Sequence, residues 1–232
     1  MERVSLKNPK RFRGVIFDMD GVLVDSEPVI RACAQEAAFE MGFSISNDTY
    51  ISWMGLPSAR LRNAISSSMG PKFPIEDFYV SYKKRWKKKL EEKAISANPG
   101  IKRLLKILQS SSIPISVATS TAHEQAIETL RTTGLLNYFD TIVGGDNVEH
   151  GKPAPDIFKL AAETINVPTN QCIGLEDSEI GVKSAVSAGL HVIMIPDLVP
   201  PNSDTMKLPK HIVNSTIEAS RLVLRLIKCE TG

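Results

Sequence analysis

Five short apolar runs constrain this chain more than any other feature, because each is strand length and each is bounded by turn residues. They are Gly14-Val-Ile-Phe-Asp18, Pro114-Ile-Ser-Val-Ala118, Thr141-Ile-Val143, Gln171-Cys-Ile-Gly-Leu175 and His191-Val-Ile-Met-Ile195. All are rich in β-branched residues and bounded by turn formers. His211-Ile-Val213 offers a sixth. Between the later runs, apolar residues recur at helical spacing over Ile101 to Leu108, Glu124 to Leu130, Ile157 to Ile165 and Ile180 to Ala188. Gly134 and Gly189 stand where helices commonly end. Strand alternating with helix predicts an α/β fold with a doubly wound parallel sheet covered on both faces.

Ser26 to Ala97 breaks this rhythm. Helical patterns fill Glu27 to Met41, Ala59 to Met69 and Ile75 to Leu90, punctuated by Gly55-Leu-Pro57 and Gly70-Pro71, and no strand stands out. The division expected is a core from residues 1–25 and 98–232 and a helical cap from 26–97. Ile217 to Ile227 has the pattern of a closing amphipathic helix.

Composition excludes several functions. A net charge of +2 over 232 residues is too small for a typical nucleic-acid binder. No apolar run approaches the roughly 18 residues of a membrane span. Cys33, Cys172 and Cys229 are too scattered for a disulfide framework or a zinc site. Cys33 and Cys172 read as small buried residues. Met1 to Arg13 is a basic tail without the apolar centre of a signal peptide. Together these point to the cytoplasm.

In an open parallel sheet, ligands bind beyond the carboxyl ends of the strands. Asp18, Asp20 and Gly21 follow the first strand, Thr119-Ser120 the second, and Glu176-Asp177 the fourth, while Gly151-Lys152-Pro153 precedes the helix near Asp156. Four carboxylates in one crevice need a proton or a cation. Hard oxygen donors without His or Cys suit Mg²⁺. Lys152, the Thr119 hydroxyl and the amide of Ser120 at a helix start suit a phosphoryl group. An Asp carboxylate can attack phosphorus. A second Asp two residues on can serve as acid and then base.

Phe17-Asp-Met-Asp-Gly-Val-Leu23, Val117-Ala-Thr-Ser120, Gly151-Lys-Pro-Ala-Pro-Asp-Ile-Phe158 and Gly174-Leu-Glu-Asp-Ser178 resemble, in order, the four motifs of the haloacid dehalogenase superfamily. The similarity spans about Gly14 to Pro196. It is closest to the branch of β-phosphoglucomutase and the sugar-phosphate phosphatases, whose helical cap follows the first motif. The resemblance implies Asp18 as nucleophile and metal ligand, and Asp20 as acid/base with its backbone carbonyl on the metal. It implies Thr119 and Lys152 as phosphoryl-binding residues, Asp177 as a Mg²⁺ ligand, and Glu176 as a ligand or a group behind the ligands. Asp20 argues against dehalogenation, which in the family lacks this Asp and needs no metal. The mutase branch has a His ten residues after the acid/base Asp and an Arg after the cap's glycine loop. Here those positions hold Ile30 and Ser58. That favours water as acceptor, hence a phosphatase acting on small phosphate monoesters, a sugar phosphate or related metabolite. A phosphomutase, or a non-catalytic metabolite sensor or partner-binding protein, is the alternative.

Plainer roles stand beside these. Asp18 and Asp20 could end a turn, and Thr119-Ser120 and Glu176-Asp177 could cap helices. Tyr82-Lys-Lys-Arg-Trp-Lys-Lys-Lys89 reads as a solvated cap face with Trp86 packed inward. His150 reads as an ordinary loop residue and His123 as an ordinary residue at a helix start. Arg60, Arg62 and Trp53 are the candidates for substrate selection by the cap. A monomer or weak dimer is expected.

Overall fold

The computed structural model describes residues 12–54, 56, 58–196 and 201–228. Most of the basic tail, Gly55, Pro57 and Cys229 lie outside the described residues. The chain starts with β1 (Gly14–Phe17), turns sharply, and forms β2 (Val24–Asp25). Four helices follow: α1 (Glu27–Glu40), α2 (Asn47–Trp53), α3 (Ser58–Met69) and α4 (Ile75–Glu91). β3 (Ser96–Ala97) returns the chain to the core. There α5 (Ile101–Ser110), β4 (Ile115–Ala118), α6 (His123–Thr132), β5 (Thr141–Val143) and α7 (Asp156–Thr164) alternate. β6 (Cys172–Glu176), α8 (Glu179–Ser187), β7 (His191–Met194), β8 (His211–Ile212) and α9 (Thr216–Lys228) complete the chain.

Six strands make one parallel sheet in the order β5-β4-β1-β6-β7-β8. The winding runs outward from β1 to β5 on one side and from β6 to β8 on the other. The reversal point therefore lies at β1 and β6, where a crevice opens beyond the strand ends. Alternation divides β1: Val15 and Phe17 join the apolar cluster under α5, α6 and α9, whereas Ile16 joins the one under α7 and α8. Both faces are covered, as the near-continuous apolar strands require.

The four inserted helices carry an apolar cluster of their own, built on Ala37, Trp53, Ile65, Phe73 and Phe78. β2 and β3 pair antiparallel and tie the two connecting chains together. Asn98 Nδ2 reinforces the tie by donating to the carbonyls of Gly21 at 2.8 Å and Val22 at 3.0 Å. Neither two-residue strand is long enough to show alternation, so the expectation of no strand before Ala97 misses β3. It misses α2 as well, whose Asn-Asp-Thr start does not look helical until the Ser46 hydroxyl accepts from Thr49 N at 3.0 Å. In α4, Trp86 is buried while Lys83, Lys84, Lys87 and Lys88 face solvent. Cys33 and Cys172 are buried free thiols. Among the described residues, no helix is long and apolar enough to cross a membrane.

Candidate active site

The first β-strand ends by handing its polar groups straight to the crevice. Asp18 keeps its amide in the sheet, donating to Leu175 O at 2.9 Å, so its carboxylate projects from the strand end. The chain then reverses: Leu23 and Val24 amides donate to Met19 O at 2.9 and 3.1 Å. Gly21 occupies the tightest part of this turn with φ +83°, and a Cβ there would overlap the Asp177 carboxylate. Glycine is needed at that position for its backbone and for its size.

Asp20 is held from two distant elements. Ser26 Oγ donates to its Oδ1 at 2.6 Å and Thr121 Oγ1 to its Oδ2 at 2.9 Å. Ser26 stands before α1, where a hydroxyl ordinarily caps the helix, yet it makes no such bond. Its hydroxyl is committed to Asp20 instead.

Lys152 Nζ lies between Asp18 Oδ1 and Glu176 Oε1, 2.5 Å from each. All three side chains are buried. The ammonium also stands 5.1 Å from the centre of the Phe158 ring. The other oxygen of Glu176 accepts from the amides of Asp177 and Ser178 at 3.1 and 3.3 Å, and from Ser178 Oγ at 3.2 Å. Glu176 thus bonds both the lysine and the start of α8. Gly181 makes room for it, since a Cβ there would overlap the carboxylate. Thr119 is buried beside β4, and its hydroxyl accepts from Thr121 N at 3.1 Å. Ser120 is exposed, with its carbonyl pressed against Gly145.

The charges do not balance within the protein. Burial, then the carboxylates of Glu176 and Asp20, push Asp18 up to about 8 even though Lys152 pulls it down. Burial likewise raises Asp20, opposed by the bonds from Ser26 and Thr121. Burial works against the charge on Lys152, but Asp18 and Glu176 outweigh it and hold the ammonium above its ordinary range. Carboxylate oxygens of Asp18, Glu176 and Asp177 lie within 4.8 Å of one another. A hard divalent cation fits this set: it is all oxygen, it carries surplus negative charge, and its buried Asp18 is protonated too readily without a cation.

A match to the family model of haloacid dehalogenase-like hydrolases covers residues 15–195. The chain belongs to this family. Among relatives of this hydrolase, a phosphorylated carbohydrates phosphatase of Thermotoga maritima is 37% identical over 77% of this chain and 82% of its own length. The fructose-1-phosphate phosphatase YqaB of Escherichia coli is 30% identical over 79% of this chain and 96% of its own. The structure of CbbY from Rhodobacter sphaeroides in complex with phosphate superposes with a TM-score of 0.78, at 26% identity, over 89% of this chain and 96% of that one.

The fold of this hydrolase brings Asp18, Lys152, Glu176 and Asp177 together, with Asp20 and Thr119 joined through Thr121. It does not bring the two cap arginines to the cleft. Arg60 is exposed. Arg62 pairs with Glu76 and lies over the Tyr79 ring at 5.6 Å. Trp53 does line a cavity of about 450 Å³ that runs from Asp177 into the helical insert. Its indole N–H is engaged with Ser68 Oγ at 3.1 Å. Sequence reasoning missed Ser26 and Thr121. A serine directly before a helix and a threonine two residues past Thr119 are the only signals available, and both also fit capping.

Proposed function

We propose that this hydrolase is a Mg²⁺-dependent phosphatase that cleaves small phosphate monoesters through an aspartyl-phosphate on Asp18. The carrying observation is the buried Lys152 ammonium, 2.5 Å from Asp18 and Glu176 at the reversal point of the sheet. A carboxylate and a fixed cation in contact are what in-line attack on a phosphoryl group requires. Asp18, Glu176 and Asp177, with the backbone carbonyl of Asp20, would hold Mg²⁺, which supplies charge neutralisation for the transferred phosphoryl group.

The protein's own groups then divide the work. Lys152 and Thr119 bind phosphoryl oxygens, helped by the amide of Ser120. An Asp18 oxygen forms the new bond to phosphorus as the ester P–O bond breaks. Asp20 gives its proton to the departing alkoxide, and its burial-raised affinity for a proton suits that role. Ser26 and Thr121 fix its direction. In the second half, Asp20 takes a proton from water as that water attacks phosphorus, and Asp18 is released. The helical insert acts as a cap that closes for the first step and admits water for the second. The relatives' substrates suggest a small phosphorylated metabolite, and the free buried thiols suit a reducing cytoplasm. The mutase is the secondary reading: the chain has structural neighbours of that kind, but Ile30, which lines the cavity, and Ser58, which opens α3, stand where that branch carries its His and Arg.

Steady release of inorganic phosphate from simple monoesters, dependent on Mg²⁺, is the expected result. Asp18→Asn should abolish it. Turnover surviving in that variant would defeat the mechanism.

A further inference from the structure

The cavity between the catalytic corner and the helical insert has a chemistry of its own. At about 450 Å³ it is within the roughly 300–1,000 Å³ of small-molecule sites. Its lining includes the rings of Tyr50, Trp53, Phe78, Tyr79 and Tyr82. Ile30, Leu61 and Ile65 fill in between them. Among the described residues, the lining contains no lysine, arginine or histidine. The charged side chains on it are the carboxylates of Glu27, Asp177 and Glu179.

The polar groups of the wall are mostly engaged already. Tyr50 donates its hydroxyl to Glu27 at 2.6 Å. Glu179 accepts from the amide and side chain of Asn202 at 2.6 and 2.7 Å. Burial, and for Tyr50 also Glu27, keeps Tyr50 and Tyr82 as neutral phenols. A row of sugar hydroxyls placed against this wall would lose water over a mostly apolar surface with few polar groups to replace it, which is costly. A second phosphate or a carboxylate would face the carboxylates of Glu27 and Glu179, while the Arg62 guanidinium over the Tyr79 ring is already paired with Glu76. A neutral ring would be welcomed by apolar burial and by contact with aromatic faces and edges.

From this we infer that the leaving group is a neutral, ring-bearing, largely apolar alcohol, and that esters bearing a second anion are excluded. The inference rests on the phosphatase reading only for calling the occupant a leaving group. Its test is binding of uncleavable ligands to the whole protein with Mg²⁺, by calorimetry. Benzylphosphonate should bind roughly tenfold or more tighter than methylphosphonate, equivalent to about 1.4 kcal/mol. Phosphonoacetate should bind no tighter than methylphosphonate. Leu61→Arg, which puts a cation in the wall, should reverse the order of benzylphosphonate and phosphonoacetate. Equal binding of the benzyl and methyl compounds, absent binding of both, or a preference for phosphonoacetate in the unmodified protein would overturn the inference. Phosphate release from phenyl phosphate and glycerol phosphate, followed in parallel, separates the two claims. Release together with equal phosphonate binding defeats the inference alone. A benzyl preference without release from any ester defeats the phosphatase and upholds the cavity's assignment.

Discussion

Lys152 and Asp18 touch, yet removing one or the other should affect folding in opposite directions. Lys152→Met leaves Asp18 and Glu176 buried without their shared cation, a loss on the order of 3–5 kcal/mol. It also removes a fixed positive charge from the phosphoryl site, so phosphate release should fall by roughly 10²–10³-fold or more. Asp18→Asn keeps the shape and removes a carboxylate that burial makes reluctant to ionise. The folded value of Asp18, about 8, lies above its ordinary 3.8. Its contribution to stability is therefore fully present below 3.8 and lost as pH rises through 8. In chelator at alkaline pH, Asp18→Asn should be at least as stable as the unmodified protein while showing no turnover. Urea midpoints of the two variants measured side by side check both signs.

The short turns and helix starts around the crevice are built on close approaches that allow no added atom. Gly181 lies in the first turn of α8, where replacing Gly with Ala ordinarily favours the helix by up to about 1 kcal/mol. Here the new Cβ would land on the Glu176 carboxylate. The displacement should outweigh the propensity gain, so Gly181→Ala should lower both the unfolding midpoint and phosphate release. A stabilised, fully active Gly181→Ala would mean that Glu176 is not clamped over the helix start. Gly21→Ala should instead disturb Asp177 and weaken Mg²⁺ binding, which calorimetry would show. The sequence made the sheet and its polar edge readable because β1, β4, β5 and β6 each change from apolar residues to carboxylate, hydroxyl or glycine within a residue or two. It could not reveal the support of Asp20, since Thr121 lies 101 positions away and meets it only in the folded protein. Nor could it place Arg62, whose choice of Glu76 over the cleft depends on how α3 and α4 pack. The hinge strands were hidden by their length, for two residues carry no period.

Two titrating groups at separate places in the sheet, the buried Asp18 and the half-buried His191, set how the entire fold responds to pH. His191, on β7 against the rings of Phe12 and His211, is pushed down to about 4 by burial first and then by His211 and Lys210. Because 4 is below its ordinary 6.5, its contribution is present above 6.5 and lost as pH falls toward 4. Asp18 works the other way up to about 8, and Asp20 is displaced in the same direction as Asp18. Between pH 6.5 and 8 His191 is already neutral in both states, so the carboxylates govern that window. Metal-free protein should therefore lose stability as pH climbs through it. Binding of Mg²⁺ needs Asp18 ionised and expels its proton, so the metal's apparent affinity should rise over the same interval. With millimolar Mg²⁺ the decline should flatten or reverse, since a ligand of the native state at free concentration L stabilises it by RT ln(1 + L/Kd) and the apparent Kd falls over this interval. Urea midpoints across the window, with chelator and with Mg²⁺, give the two slopes. Calorimetry in buffers of different ionisation enthalpy counts the proton released. His191→Phe should leave this window unchanged and remove the loss seen below 6.5. A metal-free midpoint that climbs from 6.5 to 8 would mean that Lys152 keeps Asp18 ionised throughout, and that the cation is not needed to do so.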